Sequence, residues 1–295
     1  MENGQLIFDQ ELFDEQMKKS GLLNSLSNPI FPIQTQFCFI HLTIQEFLAA
    51  LHVTETYAPA DMNEFITNHI RSGKWHLVLQ FIAGLLGKKI KMFYRDYIEC
   101  VLAFAKNCDV IHGKHNLNVN QVLVMKCLRE VDDEEIVKDV CETTAMNDVV
   151  KLRVDGFHPS DSAAVMFVCK HMKNLTQLYF RNYADCFREF LQLLQKRCIN
   201  ILELMEGFGD KDKHIGAGPV FSALMKSHCT LNHKHTNLTF LMLHGVLLDD
   251  PGLSNMRAFF ENGHAKHLEK FHFDLPLSPL SWREEMNYTA PLSAR

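Results

Sequence analysis

The chain of 295 residues lacks a G-x-x-x-x-G-K-[ST] phosphate-binding loop. Its glycine-containing stretches lack the lysine and hydroxyl pair that holds phosphates and magnesium in such a loop. No nucleophile elbow, Cys-x-x-Cys or H-E-x-x-H motif is present either, so no catalytic residue can be assigned. We therefore predict a protein that is not an enzyme and does not hydrolyse ATP by itself.

An excess of positive charge is also lacking. The formal net charge is −5, and scattered lysines and arginines give no basic field for nucleic acid. No basic region precedes an apolar core at the amino terminus, which argues against a secretory signal. The apolar stretch from Trp75 to Leu86 is too short to span a bilayer. We predict a cytoplasmic protein with no nucleic-acid partner and no membrane span.

The chain has a high content of apolar residues and few prolines. Hydrophobic residues make up 47% of the chain, which contains nine prolines, so it can bury a large core as two domains or as one extended array. Its nine cysteines, an odd number, fit a reducing compartment in which the thiols stay free and mostly buried.

The most informative stretch is 37–50, F-C-F-I-H-L-T-I-Q-E-F-L-A-A. Aromatic and β-branched residues at 37–40 predict a strand. Thr43, followed three residues later by Glu46, predicts a capping box that opens a helix. His41 therefore stands at a strand-to-helix junction, where unpaired N–H groups attract phosphate. The alternative is a strand-end histidine that bonds only to the backbone.

This stretch resembles the F-x-F-x-H-x-x-x-Q-E-F-x-A-A signature that ends the winged-helix domain of NACHT-type NTPases, the NOD-like receptors (NLRs) of innate immunity. The resemblance implies that residues 1–57 are the C-terminal part of a winged-helix domain. It also implies that His41 contacts the β-phosphate of ADP when an NTPase domain is present. We expect ADP/ATP to bind in that full-length context, with the NTPase domain preceding in cis, and no cofactor in this chain.

Residues 58–146 are predicted to be nearly all helical. The predicted helices are 61–71, 75–86, 94–107 and 120–129, followed by one that the acidic run 132–135 opens and that ends near Cys141. The block W-x-x-V-L-Q-F-I-A-G-L-L-G at 75–87 is similar to the second helical domain of the same receptors.

From residue 147 the pattern changes to repeated short strands separated by helices. Five apolar positions are taken as equivalent and are spaced by 26, 24, 39 and 30 residues: Leu152, Leu178, Leu202, Leu241 and Phe271. Three of the spacings fit a leucine-rich repeat with one helix per unit, whereas 39 requires an inserted loop within 207–218 or near 229–235.

Helix signals lie between the repeat strands. We predict helices at 162–171 after Ser160 and Asp161, at 187–196 after Asp185, and from Asp250 to Gly263. Residues 159–178 also resemble the first leucine-rich repeat of NLR proteins. The predicted fold is thus α/β with an all-α part, in which a partial winged helix and a helical domain precede a leucine-rich-repeat solenoid at 147–280 and a tail at 281–295.

A repeat array exposes a long strand-lined face on which protein partners bind. Each of the residues predicted to point outward there is equally compatible with a merely solvated surface. They are Lys151, Arg153, Gln177, Tyr179, Glu203, Thr239, Met242, Lys270 and His272.

One histidine-rich segment has the donor types that zinc prefers. It comprises His228, Cys229, His233 and His235, with His214 upstream and His244 beyond. The spacing matches no standard finger or hydrolase, so we predict a surface loop and no metal site. The paired carboxylates at 132–135 and 249–250 are explained by helix capping more simply than by acid/base catalysis.

The sequence is therefore interpreted as the regulatory and ligand-recognition portion of an NLR-type cytosolic innate immune receptor. In that role it restrains or reports a nucleotide-dependent oligomerisation switch. The alternative is a free-standing leucine-rich-repeat scaffold or inhibitor, in which His41 is purely structural.

Overall fold

A computed structural model of the chain confirms the mixed α/β class and contains a parallel sheet. It describes residues 6–27, 35–106, 117–149, 151–154, 158–181, 186–197, 199–205, 216–229, 238–246 and 248–274. Two compact units are present: residues 1–107 with 130–133 form the first, and residues 108–129 with 134–295 form the second. The finer division into winged helix, helical domain, repeats and tail stays a prediction.

The first unit begins with a small antiparallel sheet. Its strands β1 (Phe8–Asp9), β2 (Leu23–Ser27) and β3 (Thr35–Phe39) lie in the order β1-β3-β2, and a short helix α1 (Glu15–Lys19) precedes β2. Aromatic rings hold β1 to β3: the Phe8 and Phe39 ring centroids are 6.0 Å apart, edge to face. The predicted strand before His41 is confirmed, whereas β2 was not predicted.

Three helices complete this unit: α2 (Leu42–Thr56), α3 (Pro59–His69) and α4 (His76–Lys106). Helix α4 packs on both α2 and α3, with Phe47 and Phe81 in edge-to-face contact at 5.4 Å. The predicted start of α3 at Asp61 was wrong, because Pro59 occupies the first turn, where its missing N–H costs nothing.

The two helices predicted at 75–86 and 94–107 are confirmed as the two segments of α4. A kink separates them at Phe93, which has the non-helical angles φ −137° and ψ 55°. Helix α4 approaches the backbone of Val131 at Gly87. A Cβ added at Gly87 would overlap that backbone, 2.8 Å from the Val131 carbonyl carbon. Only a glycine permits so close a backbone approach.

The second unit alternates helices with the strands of the parallel sheet. Its elements are α5 (Val119–Glu130), α6 (Glu134–Thr143), β4 (Lys151–Val154), α7 (Pro159–Cys169), β5 (Gln177–Arg181), α8 (Phe187–Lys196), β6 (Ile201–Met205), α9 (Ala217–Cys229), β7 (Phe240–His244), α10 (Asp250–Glu261) and β8 (Lys270–Asp274). The predicted helix at 187–196 is confirmed, and the predicted acidic start of α6 holds, with Glu134 and Glu135 in its first turn.

The five strands lie in chain order, and each is parallel to the next. The five positions taken as equivalent in the sequence are direct partners across all five strands: Leu152, Leu178, Leu202, Leu241 and Phe271. The predicted alignment is therefore confirmed residue for residue. The loop that the spacing of 39 requires is proposed for segments that lie largely outside the described residues.

Apolar side chains of this row and of the row two residues later face the helices α7 to α10. Leu178, Leu202 and Leu241 are fully buried, and aromatic rings such as Phe190, Phe221 and Phe259 fill the space above them. Each helix packs on the next along the chain. This one-sided burial leaves the other face of the sheet for contact with solvent or with a partner.

Helix α10 begins as the sequence predicts, with an acidic cap before Pro251, although the capping residue is Asp249. Its Oδ1 accepts a hydrogen bond of 2.9 Å from the backbone N–H of Gly252. Gly263, at φ +73°, follows the helix end.

We expect Asp249→Ala to lower the free energy of unfolding by about 1 kcal/mol, because a backbone donor loses its partner. The neighbouring Asp250→Ala is the matched control. It removes an equal charge from the first turn without removing that hydrogen bond, and should cost about 0.5 kcal/mol or less. Urea unfolding of both variants measures the difference, and equal losses would contradict the capping role.

Candidate functional site

His41 is the capping residue of α2. Its backbone is extended (φ −150°, ψ 138°), and its ring Nδ1 accepts a hydrogen bond of 3.1 Å from the backbone N–H of Thr43. The predicted capping box was wrong, because Thr43 is the second residue of the helix and the cap is supplied by the histidine itself.

This bond decides which nitrogen of the His41 ring carries the proton. A neutral imidazole that accepts at Nδ1 must carry its hydrogen at Nε2. The His41 side chain is exposed, so Nε2–H is a donor at the amino-terminal end of a helix. His41 thus makes the backbone hydrogen bond expected of a purely structural histidine. Its Nε2–H remains as a donor that an anion could use.

The exposed face of the parallel sheet carries three aligned rows of side chains. The first row is Lys151, Gln177, Ile201, Phe240 and Lys270; the second is Arg153, Tyr179, Glu203, Met242 and His272; the third includes Arg181, Met205 and His244. All of these side chains are half-buried or exposed. We call this surface the sheet face.

Eight of the nine residues predicted to point outward lie in these rows. The exception is Thr239, which precedes β7 and uses its carbonyl oxygen to accept hydrogen bonds from the backbone N–H groups of Glu269 (2.9 Å) and Lys270 (3.1 Å). Phe240 and Ile201 were missed because apolar residues of a strand are expected on its buried side.

A charged cluster joins the helix ends on the other side of the sheet. Glu134 bridges two lysines, with Oε1 at 2.6 Å from Lys170 Nζ and Oε2 at 3.0 Å from Lys196 Nζ. Hydrogen bonds from Lys170 and then Lys196 lower the pKa of Glu134 to about 2. The Lys170 side chain is only 6% exposed, and its ion pair with Glu134 offsets part of the cost of burying the ammonium group.

Next to this cluster, the His171 ring is buried against Phe167, at 5.6 Å between centroids. Its Nε2 has no hydrogen-bond partner among the described residues. Burial lowers the pKa of His171 to about 4 despite the opposing charge of Glu134, and Lys170 adds to the decrease. The ring is therefore neutral at pH 7.

Sequence reasoning missed this cluster, although a signal was present. Lys170 and Lys196 are 26 residues apart, the same spacing that separates the aligned Leu152 and Leu178. The two lysines are thus equivalent in successive strand-helix units, each at a helix end. Lys170 is buried and Lys196 is exposed, so the spacing relates the two positions but does not by itself identify Glu134 as their partner.

No candidate metal site is found in the part of the chain that the structure describes. Within it, no three His, Cys, Asp or Glu residues come together as a metal site would require. The histidine-rich segment lies outside the described side chains apart from His244, which belongs to the sheet face.

Six cysteines of the described ranges are thiols outside any disulfide, and five of them are buried. Burial raises the pKa of the Cys100 thiol to about 11 and also raises that of Cys169. Both thiols are protonated at neutral pH, which makes them poor nucleophiles and poor metal ligands.

A comparison with known protein families and with curated proteins finds no match to this chain. Within the described ranges, none of the helices has the length and apolar character that crossing a membrane requires.

Proposed function

We propose that this chain is a non-enzymatic regulatory and recognition portion of an NLR-type cytoplasmic innate immune receptor. In this proposal, residues 147–280 form a short leucine-rich-repeat solenoid that binds a protein through the sheet face. Residues 1–57 and 58–146 act as the end of a winged helix and a second helical domain, and they restrain a nucleotide-dependent oligomerisation switch.

The observation that carries the proposal is the alignment of the repeated positions. Five residues with unequal spacing in the sequence lie in one row of a parallel sheet, each preceded or followed by a helix on the same side. A strand-helix unit stacked in this way buries one sheet surface against helices and exposes the other, which is the architecture of a recognition scaffold.

The switch part of the proposal rests on the signature at 37–50 and on the geometry of His41. An exposed Nε2–H beside the amino-terminal turn of α2 is the donor that a nucleotide phosphate from a preceding NTPase domain would need. The bond to Thr43 orients the ring, so that the donor is held ready rather than free to rotate.

The test begins with the transcript upstream of Met1. If it continues in frame into a phosphate-loop domain, the long protein and its His41→Leu variant are purified, and ADP retention and oligomeric state are measured. We expect the variant to lose most of its bound ADP and to oligomerise, since a charge-assisted or phosphate hydrogen bond contributes about 1.5–3 kcal/mol, or roughly 10- to 150-fold in affinity.

Thr43→Ala is the matched control, because it changes the side chain of the residue whose backbone His41 binds and keeps that backbone N–H. It should retain ADP. Unchanged ADP retention in His41→Leu, or a stop codon directly upstream of Met1, would contradict the switch.

The second candidate function is a free-standing scaffold or inhibitor. It is favoured by the occupied Nδ1 of His41, since a capping role alone explains that bond. A stop codon upstream together with partner binding through the sheet face would support this candidate.

A further inference from the structure

Charge is distributed unevenly over the sheet face. Its first two strands contribute Lys151 and Arg153 from β4 and Arg181 from β5, and no carboxylate occurs in either strand. Arg153 and Arg181 are exposed, and the Lys151 ammonium lies 4.4 Å from the centre of the Tyr179 ring. Although the chain has a formal charge of −5, the described residues that these two strands place on the sheet face thus carry only positive charge.

The next two strands present mainly apolar groups on the same face. Ile201 and Met205 of β6 and Phe240 and Met242 of β7 are all half-exposed, with Glu203 between them. Half-exposed aliphatic, thioether and aromatic groups side by side form the kind of patch that buries on binding. Methionines add a flexible surface that adjusts to the partner.

From this distribution we propose that the sheet face binds an acidic protein segment with apolar anchors, whose carboxylates lie near the positive charges of Lys151, Arg153 and Arg181 and whose apolar side chains cover Phe240 and Met242. This inference rests on the proposed recognition role and adds the chemistry of the partner. Charge complementarity selects the acidic part, and the apolar half of the face supplies the buried area.

The sheet fixes the spacing that the partner needs. Neighbouring strands are about 4.8 Å apart, so the centre of the basic half lies roughly 10 Å from the centre of the apolar half. An extended chain advances about 3.3 Å per residue and covers that distance in about three residues. A segment that crosses the strands should therefore carry its acidic and apolar residues two to four positions apart.

The experiment is a selection of random twelve-residue peptides displayed on phage against the purified full chain. Enriched peptides are then measured by fluorescence polarisation against the full chain and its variants. We expect the peptides to carry a net negative charge, with an aromatic or large aliphatic residue two to four positions from the acidic residues. Since exposed charges are screened, affinity should fall as salt is raised from 50 to 500 mM.

Two charge-reversal variants separate the sheet face from general charge. Arg153→Glu with Arg181→Glu should weaken binding about tenfold or more, because like charges then face the peptide. Lys173→Glu with Arg188→Glu changes the net charge equally at exposed positions off the sheet face and should change affinity less than about twofold. Arg181→Glu alone is the fallback should the double variant lower the melting temperature.

Each outcome decides a separate question. Peptides that depend on the sheet face but are neutral or basic would overturn the acidic partner and leave recognition by this face standing. Peptides that bind the sheet-face variants as well as the native chain, or no enrichment at all, would overturn both the acidic partner and recognition through the sheet face.

Discussion

Gly87→Ala should lower the free energy of unfolding by about 3 kcal/mol, a large effect for the addition of one methyl group. The new Cβ would occupy the space of the Val131 backbone, 2.8 Å from its carbonyl carbon. Backbone atoms cannot rotate away as a side chain does, so α4 or the segment after α5 must move. Urea unfolding, with the midpoint and slope both recorded, gives the change.

Gly84→Ala, one turn earlier in the same helix, is the matched control. Its Cβ would lie 3.5 Å from the Glu130 carbonyl oxygen, an ordinary contact distance. Alanine is a better helix former than glycine by about 1 kcal/mol, so this variant should be neutral or more stable. Similar losses for both substitutions would show that the close approach at Gly87 is not the cause.

Acidification from pH 6.5 to 4 should lower the free energy of unfolding by roughly 3 kcal/mol through His171 alone. The unfolded chain binds a proton at the ordinary pKa of 6.5, whereas burial holds the folded pKa at about 4. At pH values between these two pKa values, the unfolded state binds a proton at His171 and the folded state does not, so acid favours unfolding. The contribution of His171 levels off as the pH falls below about 4, where the folded ring is protonated as well.

Glu134 acts in the same direction at lower pH. Its folded pKa of about 2 lies below the ordinary 4.5, so the stability from its bonds to Lys170 and Lys196 is present above pH 4.5 and is lost as pH falls towards 2. Because the carboxylate is half-exposed, water screens part of this contribution.

Urea unfolding between pH 7 and 4 measures the His171 effect. His171→Leu should flatten the pH dependence, since it removes the titrating ring while Glu134, Lys170, Lys196 and Arg197 remain beside the site. His272→Gln, at an exposed position of the sheet face, is the control and should leave the slope unchanged. A steep slope that persists in His171→Leu would assign the pH dependence to other groups.

The alignment of the parallel strands could be predicted from the sequence because alternation is enforced by burial. A slip of one residue would turn Leu178 or Leu202 towards solvent, so the apolar pattern fixes the register even where the spacing changes from 24 to 39 residues. The sheet face follows from the same alternation, which is why most of its residues were found.

The starts of helices were predicted less well, and histidine is the reason in two cases. α2 begins after His41 and α7 after His158, each of which accepts a backbone N–H at Nδ1. Because Ser, Thr, Asp and Asn are the usual capping residues, the helix starts were predicted at the nearby Thr43 and Ser160 instead. Both helix starts depend on the orientation of a histidine ring, which the sequence alone does not give.

The spacing of 26 residues relates Lys170 to Lys196, but it does not predict their pairing with Glu134, because the three residues come from different helices and meet only through packing. Lys170 and Lys196 read as surface residues of their own helices, although Lys170 is 6% exposed. The packing of successive helices brings both ammonium groups to one carboxylate, and no local pattern contains that information.

The uneven spacing of the paired strands also bears on how fast the sheet forms. Each strand finds its partner nearby along the chain, so that assembly can spread from one unit to the next without a search through distant segments. The entropy lost in closing a loop rises with the logarithm of its length. Joining Leu202 to Leu241 therefore costs about 0.4 kcal/mol more than joining Leu178 to Leu202, so that loop entropy alone makes the pairing of β6 with β7 about twofold slower than that of β5 with β6.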